Sequence, residues 1–136
     1  MITAIDSSVI LDVVTADPQF ADRSAKALRQ AGMAGKLIVC ETVVAEVTPA
    51  LGTEEMVREL LRAWSLVFDP SDLDVALLAG RNFQVYLSRG GRRHRVIPDF
   101  LIGAHALKRA DRLLARDRGY LRDYFSALVI LDPSVP

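Results

Sequence analysis

The sequence predicts an α/β domain in three layers, a central parallel sheet with helices on both faces. Short apolar runs such as "ITAI", "KLIVC" and "ALVIL" alternate with longer segments whose apolar residues recur at helical spacing. Strands separated in this way pair in parallel, with the intervening helices covering both faces of the sheet. The length, 136 residues, suits one such domain, taken as residues 1–136.

"ITAI" (2–5) is short and apolar, as a buried parallel strand is. Ser7 or Ser8 is positioned to cap the helix that begins with "VILDVV". "PQFADRSAKALRQAGMAG" carries Phe20, Ala21, Ala25, Leu28 and Ala31 at helical spacing, and Gly32 and Gly35 close it. "KLIVC" (36–40) is the second strand, and "ETVVAEVTPAL" a helix whose end is blurred by Pro49 and Gly52. "TEEMVRELLRAW" (53–64) has Thr53 as cap, acids in its first turn, and Met56, Leu60, Leu61 and Trp64 on one face. "SLVFD" is a short strand. "PSDLDVALLAGRNFQVYLSRGG" is a long helix opened by Ser71 and stopped by Gly90-Gly91. "PDFLIGAHALKRA" (98–110) is a helix entered through Pro98-Asp99. "RLLAR" is a strand leading to Asp117, and "ALVIL" (127–131) is the last strand.

Lys+Arg and Asp+Glu balance at 17 each, so a nucleic-acid site must be a local patch, not a property of the whole molecule. Cys40 has no partner for an internal disulfide and sits in an apolar run, as a buried hydrophobe does. No signal-peptide pattern opens the chain and no apolar run approaches the ~20 residues of a bilayer span. The expectation is a cytoplasmic protein that does not enter the membrane.

Parallel sheets bind ligands beyond the carboxyl ends of their strands. Asp6 ends the first strand and Asp117 follows "RLLAR", so both belong to that edge. Asp99 stands at a helix start and Glu46 one turn into another helix, and helix N-termini face the same edge. Each acid also has a plainer reading: Asp6 and Asp99 as helix caps, Glu46 as a solvated helix residue, Asp117 as a turn residue. Together they describe four carboxylates in one cleft, where like charges raise each other's pKa unless a cation neutralises them. An all-oxygen donor set suits Mg²⁺ or Mn²⁺ better than zinc.

The stretches "IDSSVILD", "VVAEV" around Glu46, "IPDFLIGAHAL" around Asp99 and "LLARDRGYLRDYF" around Asp117 resemble those of the PIN-domain nucleases. The resemblance is narrower still to the VapC-type toxins of toxin–antitoxin pairs, and it covers essentially the whole chain. It implies that Asp6, Glu46, Asp99 and Asp117 hold the metal and carry catalysis, with Ser8 beside the metal or the scissile phosphate. Glu41 competes with Glu46 for the second place. Glu46 is preferred because Val43, Val44 and Val47 embed it, whereas an acid at the helix entry, as Glu41 is, serves the dipole. Gly103 stands where the family commonly has alanine. The implied activity is Mg²⁺-dependent endoribonucleolytic cleavage, with an RNA substrate, a VapB-like antitoxin as partner, and a homodimer or a heteromer with the antitoxin.

The basic run "SRGGRRHR" offers Arg92, Arg93 and Arg95 as phosphate contacts beside Asp99, although a solvated loop also accounts for it. His105 reads as a packed helix residue. Tyr120, Tyr124 and Phe125 read as core contacts, with Tyr120 near enough to Asp117 to meet a base. Two other function classes compete: a PIN-like interaction module whose metal site is idle, and a phosphohydrolase of the haloacid-dehalogenase type. The second lacks the acid such enzymes place two residues after the nucleophile, where this chain has Ser8.

Overall fold

A computed structural model of the chain describes residues 1–92, 96–117 and 119–135. Among them five parallel strands form one sheet in the order β3-β2-β1-β4-β5. The strands are β1 (Ile2–Ile5), β2 (Lys36–Val39), β3 (Leu66–Phe68), β4 (Arg112–Leu114) and β5 (Ile130–Leu131). The helices are α1 (Ser7–Val14), α2 (Ala21–Ala34), α3 (Glu41–Leu51), α4 (Glu54–Ala63), α5 (Leu73–Ser88), α6 (Ile97–Arg109) and α7 (Tyr120–Tyr124). The three-layer parallel architecture is the one the alternating pattern predicts.

The central strand β1 pairs Ala4 with Ile38 on one side and with Leu113 on the other. Flanked on both edges, its Ala4 and Ile5 are almost fully buried, which is why the strand tolerates an unbroken apolar run. Gly35 lets β2 start against the N-terminus: a Cβ there would lie 2.0 Å from the Met1 carbonyl oxygen, the group that accepts the Lys36 N–H at 3.0 Å. Cys40 is buried at 1% exposure, and that burial pushes its thiol pKa up.

Several boundaries differ from expectation, each for a local reason. Asp6, not Ser7 or Ser8, caps α1 by accepting the Ser8 N–H. The Asp17 carboxylate takes the N–H groups of Gln19 and Phe20 in a turn, so α2 starts only at Ala21. Asp72 replaces Ser71 as the cap of α5, accepting from Val75 N. On α4 the buried residues are Val57 and Leu60, while Met56 is 52% exposed. Strand β5 keeps only two residues of "ALVIL", because the chain is still turning at Leu128, whose N–H returns to Phe125 O at 2.9 Å. Helix α7 had no predicted counterpart.

Phe100, fully buried, stands among five other rings: Phe83, Tyr86, Tyr120, Tyr124 and Phe125, with centroids 5.5–6.4 Å from its own. This cluster joins α5, α6 and α7 and anchors the start of α6, where Asp99 lies. Tyr120, Tyr124 and Phe125 are thus the core contacts their spacing suggests. No helix among the described residues is long and apolar enough to cross a membrane.

Candidate active site

The chain leaves β1 toward β2 and β3 on one side, then returns to β4 and β5 on the other. The crevice beyond the carboxyl ends of β1 and β4 is therefore the switch point at which open parallel sheets bind ligands. Asp6 stands there. Its backbone N–H donates to the carbonyl of Leu114, the last residue of β4, at 3.0 Å.

The Asp6 side chain is held from one side by Ser8, whose Oγ and backbone N–H donate to Oδ2 at 2.5 and 3.2 Å. Asp6 is only 7% exposed. Burial pushes its carboxyl above the usual carboxylate range; the hydrogen bonds from Ser8 oppose the shift, and the charge of Asp99 adds to it. The cap reading holds for Asp6: one oxygen fastens α1, while the group remains in the field of a second acid. Asp99 occupies the first turn of α6, whose N-cap position is taken by Val96.

A third acid reaches the same helix start indirectly. Ser7 Oγ donates to Glu46 Oε1 at 2.8 Å, tying α3 to the first residue of α1. Glu41 is engaged elsewhere: its two carboxylate oxygens accept the Ser71 N–H at 3.0 and 3.1 Å, pinning the loop before α5. Of the two glutamates, Glu46 is the one bonded to the residue that follows Asp6.

Asp117 is engaged by the backbone at the start of α7. Its Oδ1 accepts the N–H groups of Gly119 (2.9 Å) and Leu121 (3.2 Å), and Oδ2 that of Arg122 (3.0 Å). Three otherwise orphaned amides at the start of α7 thus draw the carboxylate toward that helix. Asp117 N in turn donates to Asp132 Oδ2 at 3.2 Å. Among the described residues no three acidic, histidine or cysteine side chains stand in a metal-holding arrangement. The donor chemistry nonetheless fits a hard divalent cation, because Asp6 is a buried carboxylate facing a second carboxylate's charge.

Of the proposed phosphate contacts, Ser8 lies against Asp6, and Arg92 is exposed with its N–H on the Tyr86 hydroxyl at 3.1 Å. Arg93 and Arg95 lie outside the described residues. His105 is buried at 1% exposure and bonds through Nε2 to Asp69 Oδ2 at 3.0 Å, as a packed residue would.

Sequence reasoning did not single out Asp12 or Arg116. Arg116 donates from Nε and Nη2 to the two oxygens of buried Asp12, both at 2.8 Å, and its backbone N–H donates to Ser8 Oγ at 3.2 Å. The signal was available in "VILDVV", where an acid interrupts an apolar helical run.

The family profile described as PIN domain matches residues 3–125. No curated protein matches the chain. Among solved structures, the chain is similar to VapBC2 from Rickettsia felis bound to a DNA fragment from its promoter, with 15% identity, 97% of this chain and 98% of that one covered, and a TM-score of 0.73. FitAcB from Neisseria gonorrhoeae matches at 19% identity over 100% of both chains, with a TM-score of 0.69. VapBC-1 from nontypeable Haemophilus influenzae matches at 17% identity, covering 98% and 99%, with a TM-score of 0.71.

Proposed function

The chain belongs to the PIN-domain family, and from that premise we propose that it is a divalent-metal-dependent endoribonuclease acting as the toxin of a toxin–antitoxin pair. The observation that carries the reading is Asp6: a buried carboxylate at the switch point, held by Ser8, with Asp99's charge raising its pKa. The fold's likeness to chains of the VapBC and FitAB complexes supports an antitoxin as partner.

Asp6, Asp99 and Glu46 would hold the ion, Mg²⁺ or Mn²⁺, with Asp117 as a fourth ligand. When bound, the ion supplies a water of lowered pKa and neutralises charge developing at the phosphate. The chain's own residues prepare the site. Ser8 fixes one oxygen of Asp6, Ser7 steers Glu46 toward the same helix start, and the ring cluster around Phe100 keeps the first turn of α6 in place. Whichever of Asp99 and Asp117 is not fully used as a ligand would take a proton from the attacking water. Three N–H groups at the start of α7 already engage Asp117, two on Oδ1 and one on Oδ2, which leaves Oδ2 room for the ion.

The engagement of Asp117 by α7, with no three-residue metal-holding group among the described residues, favours a second reading, a PIN-like interaction module whose metal site is idle. Calorimetric titration with Mg²⁺, alongside cleavage of single-stranded RNA with and without EDTA, separates the two. The nuclease reading expects saturable binding and EDTA-sensitive cleavage. Absence of both leaves the interaction module.

A further inference from the structure

Between α2 and the β4–β5 edge lies a groove of about 1090 Å³, and Asp117 forms part of its wall. Its floor is apolar, built by residues such as Leu114, Leu128 and Ile130. Four cations line it: Arg23 and Lys26 from α2, Arg112 from β4 and Arg122 from α7. They face two carboxylates, Asp117 and Asp132, both already engaged by backbone N–H groups. In a chain whose formal net charge is +0, this excess of positive charge is local.

We infer that this groove binds the sugar–phosphate backbone of single-stranded RNA and leads it to the catalytic edge. The inference rests on the nuclease reading and adds a substrate path to it. Arg23, Lys26 and Arg122 are exposed and stand where a strand's phosphates would pass. Arg112, also part of the lining, is anchored by its Nε–H to Thr3 Oγ1 at 2.9 Å. A positively charged groove that tracks the backbone is what sequence-tolerant single-strand binding uses, and because the apolar lining here is mainly aliphatic, the cations carry the binding. Because Asp117 belongs to both the groove and the β4–α7 loop, a strand lying here runs past the carboxyl end of β4, next to Asp6. An acidic polypeptide would satisfy the cations but gives no reason for the groove to end at that loop.

The test uses the full chain carrying Asp99→Asn, which silences cleavage, and a fluorescein-labelled single-stranded RNA read by anisotropy across a salt series. Adding Arg23→Gln, Lys26→Gln and Arg122→Gln should weaken binding at least tenfold at low salt. It should also flatten the slope of log affinity against log salt by about 2, at roughly 0.7 per lost contact. In the cleavage-competent background the same triple variant should raise KM for RNA and leave the cleavage position unchanged. Unchanged affinity and slope would overturn the groove assignment. So would loss of polyglutamate binding with RNA binding intact, which would identify a site for acidic polypeptide. A chain that neither binds nor cuts RNA in any form removes the nuclease reading itself, whereas RNA cut equally well by the triple variant removes only the groove.

Discussion

Arg116 grips Asp12 with both arms of its guanidinium, each N–H···O distance being 2.8 Å. Asp12 is 3% exposed and also accepts from Ser24 Oγ at 2.7 Å, while the Arg116 guanidinium lies 4.2 Å from the centre of the Phe20 ring. One ion pair thus joins α1, α2 and the loop that carries Asp117.

Replacing one partner strands the other. Asp12→Ala leaves Arg116 and Ser24 without their acceptor, which for a buried pair costs about 3–5 kcal/mol; because Arg116 keeps some contact with water, about 2–3 kcal/mol is expected here. Urea unfolding checks this: the midpoint should fall while the slope stays constant. A change below ~0.5 kcal/mol would mean that the pair adds nothing to the fold.

Gly103 is not interchangeable with the alanine common in the family. A Cβ there would lie 2.8 Å from Phe125 Cε2 and 2.9 Å from Leu121 Cδ2, and Phe125 is itself held by the Phe100 ring. Alanine gains up to ~1 kcal/mol of helix propensity, but overpacking costs about 1–3 kcal/mol. Gly103→Ala should lower stability by about 1 kcal/mol and Gly103→Val by more, as thermal unfolding would show. A stabilised alanine variant would mean that α7 yields easily.

Asp69 ties β3 to α6. It accepts two N–H bonds from Arg109, at 3.0 and 2.7 Å, as well as the contact with His105. The Arg109 hydrogen bonds, aided by His105, hold its carboxyl below the usual range against the opposing effect of burial. A depressed acid contributes stability that is present above its unfolded pKa, about 3.9, and fades as pH falls through the lower folded value. Asp69→Asn should therefore destabilise the protein at neutral pH, and its gap from wild type should close in strong acid. A gap that does not change with pH would assign the loss to shape alone.

Much of the fold was legible because apolar runs and glycine stops report directly on strands and helix ends: β1, β2 and α6 fall within a residue or two of expectation. Helix α7 was not, because five residues are little more than one turn, too few to show a recurring apolar stripe, and its amides are satisfied by Asp117, a residue outside the helix that reads as a metal ligand. The Asp12–Arg116 pair was hidden for another reason, since its members lie 104 positions apart. At the candidate site, sequence pattern pointed to Asp6, whose carboxyl lies in the field of Asp99, and to Glu46, bonded to Ser7. It did not foresee that Ser7 would bond Glu46, nor that amides at the start of α7 would bond Asp117.

The central claim is that Asp6 and Asp99 carry metal-dependent RNA cleavage, and cleavage by Asp6→Asn and Asp99→Asn across a Mg²⁺ titration tests it most directly. Asparagine caps a helix as well as aspartate does, so Asp6→Asn should keep α1. Without metal, that variant should be at least as stable as wild type in urea, because burial and the charge of Asp99 both disfavour the carboxylate. The account predicts folded variants that no longer cut RNA at any Mg²⁺ concentration. Cleavage at the wild-type rate by either folded variant would contradict it.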